Sequence, residues 1–376
     1  MASVSSQLAA LCNKIQGLAE PGTDMSLRHV SMACICIATH NLGNAAVPSR
    51  ITRTRKSLPL VSTLQFRVDN EEYLIMEGDR GFVYKVHHRM TGKAFASLPS
   101  TSLSRPPFLV RFYAIGKFPV PDQYFLLMEH VGPSLREVLT NQRRGKPFRE
   151  HEVCRMMRQV MNGAKEMHDR GIVHRGIHPE NVLVVAGGGD DIKIGGFGQA
   201  TCTSETEVPP RSNTMCYCTP PDVLLKGQGA LGSELVDSWL IGCLMAELLT
   251  VKVLFEATDH EDESDQLHKI FGVLGVPDKE AMKDMKPQDL DLAREVSKWR
   301  ARRRGAGKLR SDSTLRKLVP SKVLSNDGFE VLQGLLTCNP RNRLTAVAAL
   351  QLPWFANDDS SPGTAAIPKQ IVTVGY

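Results

Sequence analysis

Residues 236–250 run apolar almost all the way round a helical wheel, with Asp237, Ser238 and Glu247 the polar interruptions before Thr250. A helix without a polar face has to be surrounded by other elements, so this one predicts the centre of a sizeable helical domain. The shell is legible on either side. Val153, Met157, Val160, Met161 and Ala164 recur three to four apart and define one face of an amphipathic helix. Phe329, Leu332, Leu335 and Leu336 mark another. Upstream the texture changes to short apolar runs at residues 73–76, 82–86, 94–98, 108–115 and 124–131, separated by turn residues such as Thr91-Gly92 and 119–122. That pattern predicts an antiparallel meander of about five strands. A strand-rich half followed by a helix-rich half gives an α+β, two-lobed architecture.

Length and composition agree. At 376 residues the chain is too long for one small core. Its 42% hydrophobic and 23% charged content excludes collagen-like, wholly disordered and disulfide-scaffold classes. The longest apolar run, residues 30–38, is about half the ~18 residues of a membrane-spanning helix, so no membrane association is expected. Nine cysteines lie scattered, and the C-x-C pairs Cys34/Cys36 and Cys216/Cys218 lack the second half of a zinc site. Reduced thiols and no structural metal follow. Before Val68 there are seven basic residues and two acidic ones, so most of the net charge of +6 lies there. A nucleic-acid-binding domain would carry such an excess on a folded face, and no nucleic-acid partner is expected.

Residues 1–67, rich in Ser, Ala and Thr and without a sustained period, read as a disordered or poorly ordered basic extension. Residues 68–131 form the small lobe, 132–356 the large lobe and 357–376 a tail. The opening MASVSS loosely resembles an organellar transit peptide, the minor alternative to a cytoplasmic or nuclear location. The basic run Arg300, Arg302, Arg303, Arg304, Lys308 and Arg310 reads as a solvated loop, with a nuclear localisation signal or a patch for an acidic partner as the alternatives.

The most informative stretch lies between the lobes. It reads His174-Arg175-Gly176-Ile177-His178-Pro179-Glu180-Asn181-Val182-Leu183, and fifteen residues after Asn181 comes Gly196-Phe197-Gly198, behind a short strand at 192–194. This resembles the catalytic loop H-R-D-L-K-P-x-N and the D-F-G motif of protein kinases. Residues 236–239 and 242–249 are similar to the central helix of the cyclin-dependent kinase branch. Phe255, residues 265–275, Cys338-Asn339-Pro340 and Arg343-Leu344-Thr345 continue the likeness, which covers about residues 70–356. The resemblance implies a two-lobed protein-kinase fold and, as the family's chemistry, Ser/Thr phosphotransfer from ATP. It also implies structural roles: Asp237 accepting backbone N–H bonds from the catalytic loop, Asp222 pairing with Arg343, and His174 with Phe197 in a hydrophobic column between the lobes.

The departures from the family pattern fall on the chemistry. The position of the aspartate that accepts the substrate's hydroxyl proton is Gly176, and that of the D-F-G aspartate that holds Mg²⁺ is Gly196. Leu98 stands at the strand lysine and His178 at the catalytic-loop lysine. Only twelve residues, 99–110, separate that strand from Arg111, and they contain three prolines and no Glu. The helix that offers a Glu to the strand lysine is therefore expected to be missing, and with it the usual cyclin-docking element. Replacements are distant. Lys85 is about 7 Å further along its strand than Val83, and Asp190 and Asp191 are about 15 Å from Gly196 by strand rise. Glu180 reads as an ordinary variable position. Asn181, the family's second metal ligand, remains, but one neutral amide is a weak, incomplete site for a hard cation.

An adenine slot is retained by the same resemblance, with Val83 and Ala96 above, Leu183 below and hinge backbone at Glu129 to Val131. The glycine-rich loop is thinned to Gly78 and Gly81, with Met76 in place of the first glycine. Any ATP binding is thus expected to be weak and Mg-independent. Arg175, which grips a phosphorylated residue in the family, is present. Pro210 falls at the phosphorylation position, leaving Thr206 or Ser212 to substitute. The reading that follows is a pseudokinase acting as a scaffold or regulator, with a protein partner (a kinase, a substrate or a cyclin-like protein) on its larger lobe. A Ser/Thr kinase with residual ATP-dependent phosphotransfer and a decayed gene product stay open as alternatives.

Overall fold

The computed structural model describes residues 33–39, 65–68, 71–79, 83–88, 108–110, 112–117, 123–187, 189–203, 218–226, 232–256, 263–285, 287, 290–305 and 314–356. Its first half is one antiparallel sheet of six strands: β1 (Ala33–Thr39), β2 (Gln65–Val68), β3 (Glu71–Asp79), β4 (Val83–His88), β5 (Phe112–Lys117) and β6 (Gln123–Glu129). The strand order is β2-β3-β4-β1-β6-β5. The expected strands near residues 73, 83, 112 and 124 are therefore present, but the sheet is not a simple meander. The strand expected at 94–98, with Ala96 and Leu98, lies outside the described residues, as does Gly81.

Two strands fall within residues 1–67, the segment expected to be a disordered or poorly ordered basic extension. β2 begins at Gln65, before the boundary drawn at 68. More consequentially, β1 sits in the middle of the sheet, antiparallel to β4 on one side and to β6 on the other. Its sequence, Ala-Cys-Ile-Cys-Ile-Ala-Thr, lacks the alternation that marks a strand with one wet face. Short unbroken apolar runs are what strands within a sheet look like, and periodicity alone does not separate them from other buried segments. Its partners are also far along the chain, so no local turn signal announces the pairing.

The second half is helical. α1 (Leu135–Glu137) starts at a capping box, in which Ser134 Oγ accepts from Glu137 N at 3.2 Å and the Glu137 carboxylate accepts from Ser134 N at 2.7 Å. α2 (Glu150–His168) buries Val153, Met157, Val160, Met161 and Ala164 completely, the face predicted from their spacing. Four short strands follow: β7 (Ile172–Val173), β8 (Val182–Val184), β9 (Ile192–Ile194) and β10 (Thr201–Cys202). β8 pairs with β9, and β7 with β10. Next come α3 (Pro221–Lys226), α4 (Glu234–Thr250), α5 (Glu263–Leu274), α6 (Lys279–Asp284), α7 (Leu290–Gly305), α8 (Leu315–Leu318), α9 (Asn326–Leu335), α10 (Ala346–Leu350) and α11 (Pro353–Ala356).

α4 is the central helix that its composition predicts. Every residue from Val236 to Leu249 is buried, with α2 on one side and α9 on another. Gly242 permits the second contact, because a Cβ there would lie 2.8 Å from Leu336 Cδ2. Ser233 caps the helix, its Oγ accepting from Leu235 N at 3.3 Å, and Trp239 stacks on Phe255 at 5.3 Å. Glu150, at the start of α2, gathers α9 and α11 by accepting from Ser325 N and from Trp354 Nε1 at 2.9 Å. The basic run is another correction: Arg300, Arg302, Arg303 and Arg304 belong to the last turns of α7 rather than to a loop. Lys308 and Arg310 lie outside the described residues. Among the described residues no helix is long and apolar enough to cross a membrane.

Candidate functional site

The loop that carries the candidate site leaves β7 at His174 and is held from below by α4. Asp237, fully buried, accepts from His174 N at 2.8 Å and from Arg175 N at 2.7 Å, and it hydrogen-bonds His168 Nε2 at 2.9 Å. Burial pushes this carboxyl up, but the His168 hydrogen bond and charge, with His174, outweigh it and hold the group below the usual range. Arg175 adopts φ +63°, a left-handed conformation uncommon outside glycine, and the N–H bonds that His174 and Arg175 donate to Asp237 support that kink.

His174 closes the other side. Gly176 N–H donates to its Nδ1 at 3.2 Å, so Nε2 carries the proton and donates to Gly195 O at 2.8 Å. The ring lies 4.8 Å from that of Phe197. Burial brings the His174 pKa down to about 4, against the opposing pull of Asp237, and keeps the ring neutral. The expected pair of Asp222 and Arg343 is also present, buried on both sides. Arg343 donates further to the Thr337 and Leu235 carbonyls at 2.9 Å and lies over the Trp239 ring.

The positions expected to carry chemistry converge on one side chain, Asn181. Its amide Nδ2 donates to Gly176 O at 2.9 Å and to His178 Nε2 at 2.9 Å. Thus held, it covers Gly196: a Cβ on Gly196 would lie 2.0 Å from Asn181 Oδ1 and 2.2 Å from Cγ. Gly196 itself has φ +72° and ψ +43°, the left-handed region that glycine occupies without cost. Gly176 is less confined, since a Cβ there would meet Asn181 Nδ2 at 3.3 Å and His174 Nδ1 at 3.6 Å. The arrangement brings Gly176, His178, Asn181 and Gly196 together around one amide.

This donor set does not fit a divalent metal. Among the described residues no three His, Cys, Asp or Glu side chains converge. At the loop, Asn181 Oδ1 is a neutral oxygen, and both N–H groups of its amide are directed to protein acceptors. Hard cations take several oxygens, mostly anionic ones.

His178 is buried and bonded on both ring nitrogens. Its Nε2 accepts from Asn181, so its Nδ1–H donates to Glu180 Oε2 at 2.7 Å. Glu180 Oε1 accepts from Arg136 Nε at 2.8 Å, and Arg136 also pairs with Glu247 of α4. Burial raises the Glu180 carboxyl, but the bonds from His178 and Arg136 bring it down to about 2. Glu247 goes the other way, pushed up by burial more than Arg136 pulls it down. Glu180 is therefore more than the ordinary variable position expected of it, and the parts played by Arg136 and Glu247 were not expected from the sequence. Glu180 sits two residues from His178, which is a readable signal. Arg136 is 44 positions from Glu180 and 111 from Glu247, separations that only tertiary folding closes.

Of the residues expected to form the adenine slot, Val83, Gly78, Glu129, Val131 and Leu183 are among those described. Val83 opens β4, with its Cα opposite Cys36 of β1 and Asp79 of β3; Gly78 lies on β3 opposite Tyr84. Lys85 is opposite Glu77 and Cys34. Glu129 ends β6, and its carboxylate pairs with Lys193 of β9 at 2.7 and 2.8 Å, a tie between lobes that the sequence did not suggest. Val131 is buried, with its carbonyl accepting from Ala186 N at 3.3 Å, and Leu183 on β8 is half-buried. Between the lobes, Val110 N donates to Ile194 O at 2.9 Å and Val110 packs at Gly195. Asp190 is committed elsewhere, to Arg155, with Nε to Oδ2 at 2.9 Å. Thr206, Pro210 and Ser212 lie outside the described residues.

A family model described as "Protein kinase domain" matches residues 100–355. The chain is 38% identical to the cyclin-dependent kinase F-2 of Oryza sativa subsp. japonica over 247 residues, 65% of this chain and 69% of that protein. It is 34% identical to cyclin-dependent kinase G1 of Arabidopsis thaliana over 238 residues, 62% of this chain and 36% of that protein. Cyclin-dependent kinase 4 of Rattus norvegicus is 34% identical over 239 residues, 63% of this chain and 70% of its own length.

Proposed function

The chain belongs to the protein kinase domain family, in its cyclin-dependent-kinase-like branch, and from that premise we propose that it is a catalytically inactive member, a scaffold or regulator of phosphorylation signalling. The observation that carries this reading is the seat of Asn181. Its amide fills the space over Gly196 and is bound to Gly176 O and His178, where the family's chemistry needs open, anionic ligands.

Phosphoryl transfer asks little covalent chemistry of a protein and depends on positioning and charge stabilisation instead. A general base is worth about 10²–10⁴ in rate, and Gly176 has no side chain to act as one. His178, at the position the resemblance gives to the loop lysine, is engaged with both Asn181 and Glu180. These losses do not add simply, but together they leave negligible turnover. What the loop keeps is mechanical support, from Asp237, His174 and the Asp222–Arg343 pair, which serves a folded helical lobe as a binding platform. The partner is a protein on that lobe. The relatives' names, cyclin-dependent kinases, make a cyclin-like protein one candidate. ATP, if it enters between the lobes, binds weakly and without Mg²⁺.

The test uses the full chain, followed by thermal unfolding with ATP, once with Mg²⁺ and once with chelator, beside a radiolabelled phosphotransfer assay. A ligand at 100 times its dissociation constant adds about 2.7 kcal/mol. The expected result is no phosphate transferred, and either no shift or the same shift in both conditions. A shift that requires Mg²⁺, accompanied by transfer, would sink the proposal and restore an active kinase.

A further inference from the structure

The short connection from the helical turn Val138–Gln142 to α2 has no part in the site above and carries a concentrated charge. Residues 140–149, Thr-Asn-Gln-Arg-Arg-Gly-Lys-Pro-Phe-Arg, hold four cations and no acid. One of the four is structural. Arg143 donates to both carboxylate oxygens of Glu152 at 3.2 Å and to Pro147 O at 2.9 Å, and its guanidinium lies 4.1 Å over the Phe148 ring. Phe148 is buried, and its N–H donates to Leu248 O of α4 at 2.9 Å. Arg143 N and Gly145 N close back on Val138 O and Leu139 O, both at 2.8 Å. The connection is thus a fixed platform resting on the central helix.

The other three cations, Arg144, Lys146 and Arg149, are exposed, and among the described residues none of them pairs with a carboxylate. The acids of the flanking turns are already engaged: Glu137 with Ser134 N, Glu150 with Ser325 and Trp354, Glu152 with Arg143, and Glu247 with Arg136. Stability gives no reason for an arginine at 144. It adopts φ +52°, a conformation that glycine takes without cost and other side chains resist. Strain kept at an exposed cation points to a use for the charge. Like charges held close on a rigid surface attract a partner of opposite sign, and the patch itself narrows which one. Single-stranded nucleic acid needs open aromatic rings for its bases, and the one ring here, Phe148, is buried beneath Arg143. A membrane surface calls for an apolar face beside the cations, and Phe148 is the only large apolar residue of the stretch. Resting on the reading of this chain as a scaffold, we propose that the platform is where its protein partner docks. The partner's contact is an acidic stretch laid along Arg144, Lys146 and Arg149. From Arg144 to Arg149 the chain spans at most ~17 Å, so about five acidic residues suffice.

The experiment incubates the full chain with acetyl-pentaglutamate amide and a water-soluble carbodiimide, which joins a carboxylate to a lysine amine in contact with it, and maps the captured lysines by mass spectrometry. Lys146 is expected to be captured well above Lys269 and Lys298, which are exposed on α5 and α7. In the Arg144→Gln, Arg149→Gln variant, which keeps Lys146, capture there should fall about fivefold. The same variant should keep the melting temperature of the parent and the same rate of Lys146 acetylation by a neutral reagent, which excludes unfolding and altered amine reactivity. Should the double variant fail to fold, Arg144→Gly, which relieves the backbone, replaces it. Capture spread evenly over the exposed lysines, or capture at Lys146 indifferent to the arginines, would overturn the proposal. No nucleotide is present, so the outcome is separate from the phosphotransfer assay: an even spread with no phosphate transferred would overturn this docking site and leave the scaffold reading intact.

Discussion

Placing a methyl group on Gly196 tests the reading of the site most directly. Gly196→Ala has two costs in the structure. The residue sits at φ +72°, where a side chain costs about 1–2 kcal/mol. Its new Cβ would also lie 2.0 Å from Asn181 Oδ1, so Asn181 must leave and give up its bonds to Gly176 O and His178 Nε2. Two hydrogen bonds at about 0.5–1.5 kcal/mol each bring the total to roughly 2–5 kcal/mol. At about 2–4 °C per kcal/mol for a domain of this size, the melting temperature falls by at least about 4 °C. All three tryptophans, Trp239, Trp299 and Trp354, lie in the helical lobe, so intrinsic fluorescence follows the relevant unfolding. In the Asn181→Ala background the collision is gone, and the same substitution should cost only its backbone share, about 1–2 kcal/mol. The difference, a coupling of about 1–3 kcal/mol in a double-mutant cycle, measures the contact. Strict additivity would refute the idea that Asn181 covers Gly196. By the same geometry Gly196→Asp does not rebuild a metal site, because the carboxylate and Asn181 claim the same space.

Further outcomes follow from the same contacts. Asp222→Ala leaves the Arg343 guanidinium buried without its carboxylate, and urea unfolding should show a loss of about 3–5 kcal/mol at unchanged m-value. Deleting residues 1–64 removes β1 from between β4 and β6, and hydrogen exchange in both strands should then lose protection while α4 keeps its own. His174 carries a pH dependence: its folded pKa of about 4 lies below the ordinary 6.5, so the unfolded chain binds more protons on acidification. Its contribution is fully present above pH 6.5 and is lost as pH falls toward 4, by about 3 kcal/mol. His174→Gln should flatten that part of a stability–pH profile, and an unchanged slope would show that other groups govern it.

Much of the helical lobe could be read before folding. The all-round apolar stretch could be nothing but a central helix, and α4 is buried from Val236 to Leu249. The 3.6-residue spacing of Val153 to Ala164 named the buried face of α2. The loop motifs located Gly176, His178, Asn181 and Gly196 in the right order, and the Asp222–Arg343 pair followed from the same likeness. β1 escaped because a strand inside a sheet needs no alternation and its partners are remote in sequence. The Lys193–Glu129 tie and the chain from His178 through Glu180 and Arg136 to Glu247 escaped for a related reason: charged residues distant in sequence carry no sign of whom they will meet.

Composition and spacing by themselves determined which groups this protein has to work with. Gly176 and Gly196, which the resemblance sets at the family's carboxylate positions, have no side chains, and no folding can supply them. Tertiary structure decided what became of the groups that remain. Asn181 keeps the right chemistry for a ligand, yet backbone geometry at Gly176 and the neighbouring His178 offer its amide two acceptors. With no Cβ at Gly196 to keep it away, the side chain settles into the space left open. The identity of a residue limits its possible bonds, and the packing around it selects among them.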